Sequence, residues 1–258
     1  MHSAIIAGTG IYDIPGMRFQ ERIIDTAYGQ TKVNIGSMDG FELAFLARHG
    51  LDHSTPPHNI NYRANIKALQ MLGVKRIAAT YAVGSANCRV RPTEMALLTD
   101  FMNFTSGRPL TFFEGGDSGL AHTAMDAPYC PAMGRKILEL AHARSLAIKP
   151  DAVYVATNGP RFETPAEIRM YDRLGGDVVG MTGVPEIVLA RELGMHFAAV
   201  AYSVNWCSGI MDVLELHEDD MIETRQNLAR LLVDVLREMP EPDCRCADAV
   251  MVMHPAKV

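Results

Sequence analysis

The sequence predicts an α/β fold, a single domain whose central β-sheet is flanked by helices on both faces. Three observations carry this. Short apolar runs of strand length alternate with longer stretches of helical period along the chain. The 258 residues are enough for one large, well-buried core. No repeat, low-complexity run or Pro/Gly-rich linker divides the chain, so residues 1–258 are expected to form one domain, with 240–258 as a C-terminal tail.

The first strand is expected at residues 4–7, running into Gly8-Thr9-Gly10-Ile11-Tyr12-Asp13. A dinucleotide loop wants a third glycine where Asp13 stands, so that motif fails. What remains is either a plain turn or a glycine loop whose amides, with the Thr9 hydroxyl, hold an anion. Residues 32–36 and 41–46 read as a hairpin about Met38-Asp39-Gly40. The second strand ends in Arg48-His49, which suits an oxyanion because Arg offers a bidentate fork; the alternative for Arg48 is a surface ion pair. His49, His53 and His58 suggest a metal at first sight, but Pro56-Pro57 prevents one helix from carrying all three.

Residues 61–72 form an amphipathic helix with Tyr62, Ile66 and Leu69 on one face, ended by Gly73. Strands are expected at 74–83 and 95–101, followed by a long loop from 104 that continues through 129. Pro131 starts a helix with Met133, Ile137, Leu140 and Ala141 inward. After residue 206 comes an irregular segment, then a long helix over 217–238 with Met221, Leu228, Leu231, Leu232 and Val235 on one face, stopped by Pro240.

The remaining stretch, 153–206, is the one the others serve. An apolar run leads to Asn158-Gly159-Pro160, and Thr164-Pro165-Ala166-Glu167 is a capping box with proline at the first helical position. A second apolar run at 178–180 leads to Met181-Thr182-Gly183-Val184-Pro185, which opens another helix, and 197–204 is a further strand. Two helix starts after apolar runs, each preceded by polar residues, predict a site for a small nucleoside.

Composition narrows the partners. With 24 basic against 30 acidic residues, the chain is not built for nucleic acid or an anionic membrane. No apolar run approaches a membrane span and no leader pattern opens the chain, so a cytoplasmic protein is expected. Of five cysteines, Cys88, Cys130 and Cys207 are scattered, while Cys244 and Cys246 form a Cys-x-Cys. Reduced thiols are expected, and no metal, because zinc would need a second ligand pair that is missing nearby in the chain; a structural disulfide stays possible.

The segments GTGIYD, ARHG with NYRAN after it, FFEG, GPRFETPAEIRM and GMTGVPE together resemble the trimeric purine nucleoside phosphorylases, including the 5′-methylthioadenosine phosphorylases. The resemblance implies a mixed-sheet α/β fold, a homotrimer or dimer of trimers, and no metal or organic cofactor. It also implies phosphorolysis: purine nucleoside and inorganic phosphate, the co-substrate, give free base and pentose 1-phosphate. Thr9, Arg48, His49 and Thr182, with the backbone of Ala82, would bind phosphate. Met181 would lie against the ribose and Phe162 would stack on the purine. Tyr81 departs from the small polar residue common in relatives; it would either crowd the phosphate or point away. The Cys-x-Cys is similar to that of archaeal members in which such cysteines form disulfides.

Two residues choose the base. Asn205 stands where the methylthioadenosine enzymes carry Asp; a carboxamide can both donate to a purine 6-oxygen and accept from a ring N–H. Glu163 stands where the adenosine-type enzymes usually carry Ser, and a carboxylate accepts the ring N–H that hypoxanthine and guanine have. Both point to 6-oxopurine nucleosides: 5′-methylthioinosine, inosine or guanosine. At the 5′ end, the resemblance assigns His217 to a 5′-hydroxyl and His122 to the neighbouring subunit's pocket. The alternatives are a 6-aminopurine methylthioadenosine phosphorylase, a nucleosidase that uses water, and a purine-binding protein without turnover.

Overall fold

The computed structural model describes residues 1–253 apart from 9, 12, 13, 15, 214 and 218. In chain order the elements are β1 (Ser3–Ala7), β2 (Arg18–Thr26), β3 (Gly29–Met38), β4 (Phe41–Ala47), α1 (Tyr62–Met71), β5 (Arg76–Ser85), β6 (Met95–Asn103), β7 (Leu120–Thr123) and α2 (Pro131–Ala143). Then follow β8 (Ile148–Ala156), α3 (Pro165–Arg173), β9 (Val178–Gly180), α4 (Gly183–Glu192), β10 (His196–Trp206), α5 (Ile222–Glu238) and β11 (Val250–Met253).

Nine strands lie in one mixed sheet, in the order β10-β6-β8-β9-β5-β1-β4-β3-β2. β10 also pairs with β5, so β10, β6, β8, β9 and β5 close on themselves. The other four extend from β5 as an open wing. Closure removes two edges that would otherwise expose unpaired backbone.

The alternation of side chains across a strand explains why β1 is buried along its whole length. Ala4 and Ile6 enter one core, with Tyr62, Ile66 and Leu69 of α1 and Ile187, Leu189 and Ala190 of α4. Ile5 and Ala7 enter the other, with Met133 and Ile137 of α2 and Leu228, Leu231, Leu232 and Val235 of α5. β10 does the same, Phe197, Ala199 and Ala201 facing one way and Ala198, Val200 and Tyr202 the other. A strand apolar on both faces is the mark of a sheet covered by helices on each side.

Local signals account for the element boundaries. The β3–β4 hairpin turns at Asp39 and Gly40, both at positive φ (51° and 78°), the geometry a two-residue Asp-Gly turn supplies. In α3 the Thr164 side chain accepts from Glu167 N while Thr164 N donates back to Glu167, a complete capping box.

The structure differs from expectation in four places. β2 carries Arg18, Gln20, Glu21, Arg22 and Asp25 on a mostly exposed edge strand, so it has no apolar face to announce it. β8 begins at Ile148, five residues before its apolar run. The last long helix begins at Ile222, after a 3-10 turn over Asp219–Met221. Within the loop and tail, β7 and β11 pair antiparallel as a two-stranded ribbon; both are four-residue, largely exposed strands, too short for periodicity to show.

Candidate active site

A cavity of about 600 Å³ opens where the C-terminal ends of β1, β4, β5 and β10 meet the starts of α3 and α4. It is large enough for a nucleoside with a phosphate beside it. Of the residues expected at the site, Arg48, His49, Ala82, Phe162, Glu163, Met181, Thr182 and Asn205 all line it. Thr9 lies outside the described residues.

One end is polar, lined by Arg48, His49 and Thr182. Arg48 is buried and has five donor hydrogens. Its Nε and Nη2 donate to the two oxygens of Glu186 at 3.1 and 2.9 Å. Nη2 also donates to Ile6 O at 3.3 Å and Nη1 to Thr80 O at 2.8 Å. The fork expected to clasp an oxyanion is therefore taken by Glu186, and one Nη1 hydrogen remains. That nitrogen lies against Gly8, where a Cβ would come within 2.6 Å of it. Burial opposes the guanidinium charge, yet its pairing with Glu186 and the nearby Tyr81 phenol hold its pKa above the ordinary value.

Tyr81 points away from the cavity. Its hydroxyl donates to Glu186 Oε2 at 2.7 Å, and the Arg48 guanidinium lies 4.6 Å from its ring centroid. Of the two orientations left open by the sequence, it takes the one that leaves room for an anion.

His49 Nδ1 sits 2.8 Å from Thr55 O, and a carbonyl can only accept, so Nδ1 carries the proton. Burial, with Arg48 and His53 adding repulsion, pushes the His49 pKa down to about 4. At neutral pH the ring is uncharged, and its Nε2 lone pair is an acceptor. Thr182 is buried at the N-cap of α4, yet the Thr182 and Gly183 amides donate to Tyr154 Oη at 3.2 and 3.1 Å. The helix start, expected to meet the anion, is thus occupied by a phenol. What Thr182 offers the cavity is its hydroxyl.

The other end suits a flat heteroaromatic ring. Phe162 is 49% exposed although it lines the cavity, so it presents an apolar surface there. Glu163 is buried, and Thr157 Oγ1 donates to its Oε1 at 2.6 Å, which fixes the carboxyl group and leaves Oε2 free among the described hydrogen bonds. Asn205 is buried on β10, where the register with β5 shifts between Ser203 and Asn205. Such an irregularity beside a site re-aims a side chain. Its Nδ2 donates to Trp206 O at 2.8 Å, leaving Oδ1 and the second N–H for a ligand. Between the two ends, Met181 is pinned by Arg108, whose Nη1 donates to Met181 O at 2.8 Å.

Two expected residues stand elsewhere. His217 faces a neighbouring groove with Trp206 and Glu215, its Nδ1 3.1 Å from Asp220; Leu216 lines the main cavity instead. His122 is exposed on β7, opposite Met251 of β11, and does not line the cavity of its own chain. The residues not foreseen include Ser54, Cys207, Ser208 and Val179. Ser54 lies in a loop and Cys207 and Ser208 in an irregular stretch, where no periodicity directs a side chain.

Fold and cavity together define an α/β protein with a polar recess beside an apolar slot at the ends of a closed set of strands. The chain belongs to the phosphorylase superfamily, whose family profile matches residues 4–237. It is 44% identical over 257 residues to the 6-oxopurine nucleoside phosphorylase of Pyrococcus furiosus, covering 96% of this chain and 97% of that one. It is 41% identical over 252 residues to the probable S-methyl-5′-thioinosine phosphorylase of Methanopyrus kandleri, covering 95% and 96%. Among solved structures, the methylthioadenosine phosphorylase of Schistosoma mansoni with tubercidin superposes with a TM-score of 0.85 at 28% identity over 93% of each chain.

Proposed function

We propose that this protein is a purine nucleoside phosphorylase that cleaves 6-oxopurine nucleosides with inorganic phosphate, giving free base and pentose 1-phosphate. One observation carries the reading: buried Glu163 and buried Asn205 line the same cavity as exposed Phe162. A ring held on Phe162 would present its N–H to the Glu163 carboxylate and its 6-oxygen to the Asn205 amide. An adenine lacks that N–H and would leave the carboxylate unpaired, which separates the two bases by up to about 10⁴. The names of the two curated relatives agree with this choice.

Phosphate, the co-substrate, would sit between Gly8, Arg48, His49, the Ala82 backbone and Thr182. It meets one Arg48 N–H and the Thr182 hydroxyl as donors, and the bare His49 Nε2 as acceptor for its own P–OH. A phosphate oxygen bonds to C1′ as the C1′–N9 bond breaks and the electron pair leaves on the base. Positive charge on the sugar faces the phosphate, while Asn205 and Glu163 stabilise the departing base. No cofactor takes part in this step. At the 5′ end the cavity meets Leu216 and not His217, which favours the apolar 5′-methylthio group of methylthioinosine over a hydroxyl. Exposed Leu120, Met251 and Met253 on the ribbon that carries His122 fit a cytoplasmic homotrimer in which that ribbon abuts a second copy.

The test is a phosphate-dependent assay on inosine, guanosine, adenosine, methylthioadenosine and methylthioinosine. Methylthioinosine is expected to react fastest. Turnover that persists without phosphate rejects phosphorolysis, and equal rates on amino- and oxopurines reject the assignment of Glu163 and Asn205.

A further inference from the structure

At the opposite end of β10 from Asn205, four side chains that do not line the main cavity converge from three separate parts of the chain. Cys130 is the N-cap residue of α2, His196 is the first residue of β10, and Cys244 and Cys246 belong to the segment after α5. Their ligand atoms all lie within 4.8 Å of one another. Cys130 Sγ is 3.6 Å from Cys244 Sγ and 3.8 Å from His196 Nδ1. Cys244 Sγ is 3.2 Å from His196 Nδ1 and 3.3 Å from Cys246 Sγ. All five cysteines of the chain are free thiols.

These spacings fit a tetrahedron. Zinc holds sulfur at about 2.3 Å and imidazole nitrogen at about 2.0 Å, which places sulfurs about 3.8 Å apart and sulfur from nitrogen about 3.6 Å. The S–S separations of 3.6 and 3.3 Å are shorter than this and the S–N separations of 3.8 and 3.2 Å lie on either side of it, so closing the site needs shifts of about half an ångström. Cys130, His196 and Cys246 are buried and Cys244 is half-buried.

We propose that Cys130, His196, Cys244 and Cys246 form a structural Cys3His zinc site that fastens the C-terminal segment to the body of the domain. A ligand set of three thiolates and an imidazole is closed, with no position left for water or substrate, and its softness selects zinc over hard cations.

The surroundings agree. Cys130 N donates to Phe197 O at 2.7 Å and His196 N to Lys75 O at 2.8 Å, so two ligands are set in the rigid frame before the tail arrives. A separate cavity of about 310 Å³, lined by Cys244, Cys246, Asp126, Arg191 and Arg245, gives a route in. Three thiolates around a dication leave one net negative charge, and the adjoining cavity carries Arg191 and Arg245 together with Asp126 and Asp248. Arg191 Nε is buried and has no hydrogen-bond partner among the described residues. Donors of this kind around metal-bound sulfur are a usual part of such centres. The chain sequence hid the site because Cys130 and His196 lie far from the Cys-x-Cys; folding supplies the second pair. Past Cys246 the chain enters β11 and pairs with β7. The metal would therefore hold in place the ribbon that carries His122, without touching substrate.

The test uses the full chain, purified without a metal-affinity step and assayed by elemental mass spectrometry. About one zinc per chain is expected. In Cys130→Ser and Cys246→Ser it should fall by at least about tenfold, whereas Cys88→Ser, at an exposed thiol elsewhere, should retain it. Should the variants fold poorly, the unmodified chain decides. Cobalt(II) exchanged into it should give the intense thiolate-to-cobalt absorption of a tetrahedral centre, and a mercurial that blocks thiols should release the metal in step with them. Zinc retained in both ligand variants overturns the proposal. So does a metal-free chain whose three thiols titrate freely, or whose mass shows a disulfide among them.

Discussion

Tyr81 donates its hydroxyl to Glu186 Oε2 at 2.7 Å, and the same oxygen accepts from Arg48 Nη2 at 2.9 Å. Three buried polar groups thus hold one another with no water needed, and the cavity sees only the remaining N–H of Arg48. Such a network is stable when complete and costly when broken.

Removing the Tyr81 hydroxyl (Tyr81→Phe) should therefore lower stability by about 1.5–3 kcal/mol, the worth of a buried hydrogen bond to a charged group. Glu186→Gln strips the partner from a buried guanidinium and should be worse, about 3–5 kcal/mol. Urea unfolding ranks the two. In Tyr81→Phe the KM for phosphate should rise roughly tenfold as Arg48 loosens, with the KM for nucleoside little changed. A variant with unaltered phosphate affinity would mean that the clamp supports the fold alone.

The proposed base choice rests on Glu163 and Asn205 at the other end of the cavity. Asn205→Asp replaces an amide that donates and accepts with a carboxylate that only accepts. The ratio of kcat/KM for methylthioinosine over methylthioadenosine should drop by about 10². Steady-state kinetics on the two substrates measure it, and an unchanged ratio would remove Asn205 from base recognition.

The pH dependence follows from His49. Its pKa falls from an ordinary 6.5 to about 4 in the folded chain, chiefly through burial. Between these values the unfolded chain binds more protons at this position than the folded one, so stability rises with pH across the window. His49's contribution is complete above about pH 6.5 and is lost as pH falls toward 4. Unfolding free energies measured from pH 4 to 7 in wild type and His49→Gln should differ in slope within that window, and a parallel pair of curves would reject the assignment.

How far the sequence revealed this site depends on how local each signal is. The start of α3 could be placed from its capping box, and the Asp39-Gly40 turn because its chemistry is contained in two residues, whereas the roles of Phe162 and Glu163 came from the family resemblance. Arg48 was found, but its partner was not: Glu186 lies 138 positions away, and nothing in either segment announces a buried pair. Tyr81 could be read two ways until its hydroxyl had an acceptor. A similarly long separation, 114 positions, lies between Cys130 and Cys244. Edge strand β2 escaped notice because an exposed, charged strand needs no apolar alternation.

The closed strands have an evolutionary consequence. In the β5–β10 pairing Ala82 faces Tyr202 and Gly84 faces Asn205, so two cavity-lining positions, 82 and 205, hang from one ladder with the Val83–Ser203 pair and the register shift between them. On its flanks Tyr202 also pairs with Met95 of β6 and Gly84 with Val179 of β9, which ties this ladder into the closed strands. On the roles proposed for Glu163 and Asn205, a lineage could exchange the side chain at 205, or the one at 163, and acquire a different nucleobase while the group-transfer machinery stays where it was. Diversification of substrate would then proceed by single point changes on an unmoved scaffold, without passing through an inactive ancestor.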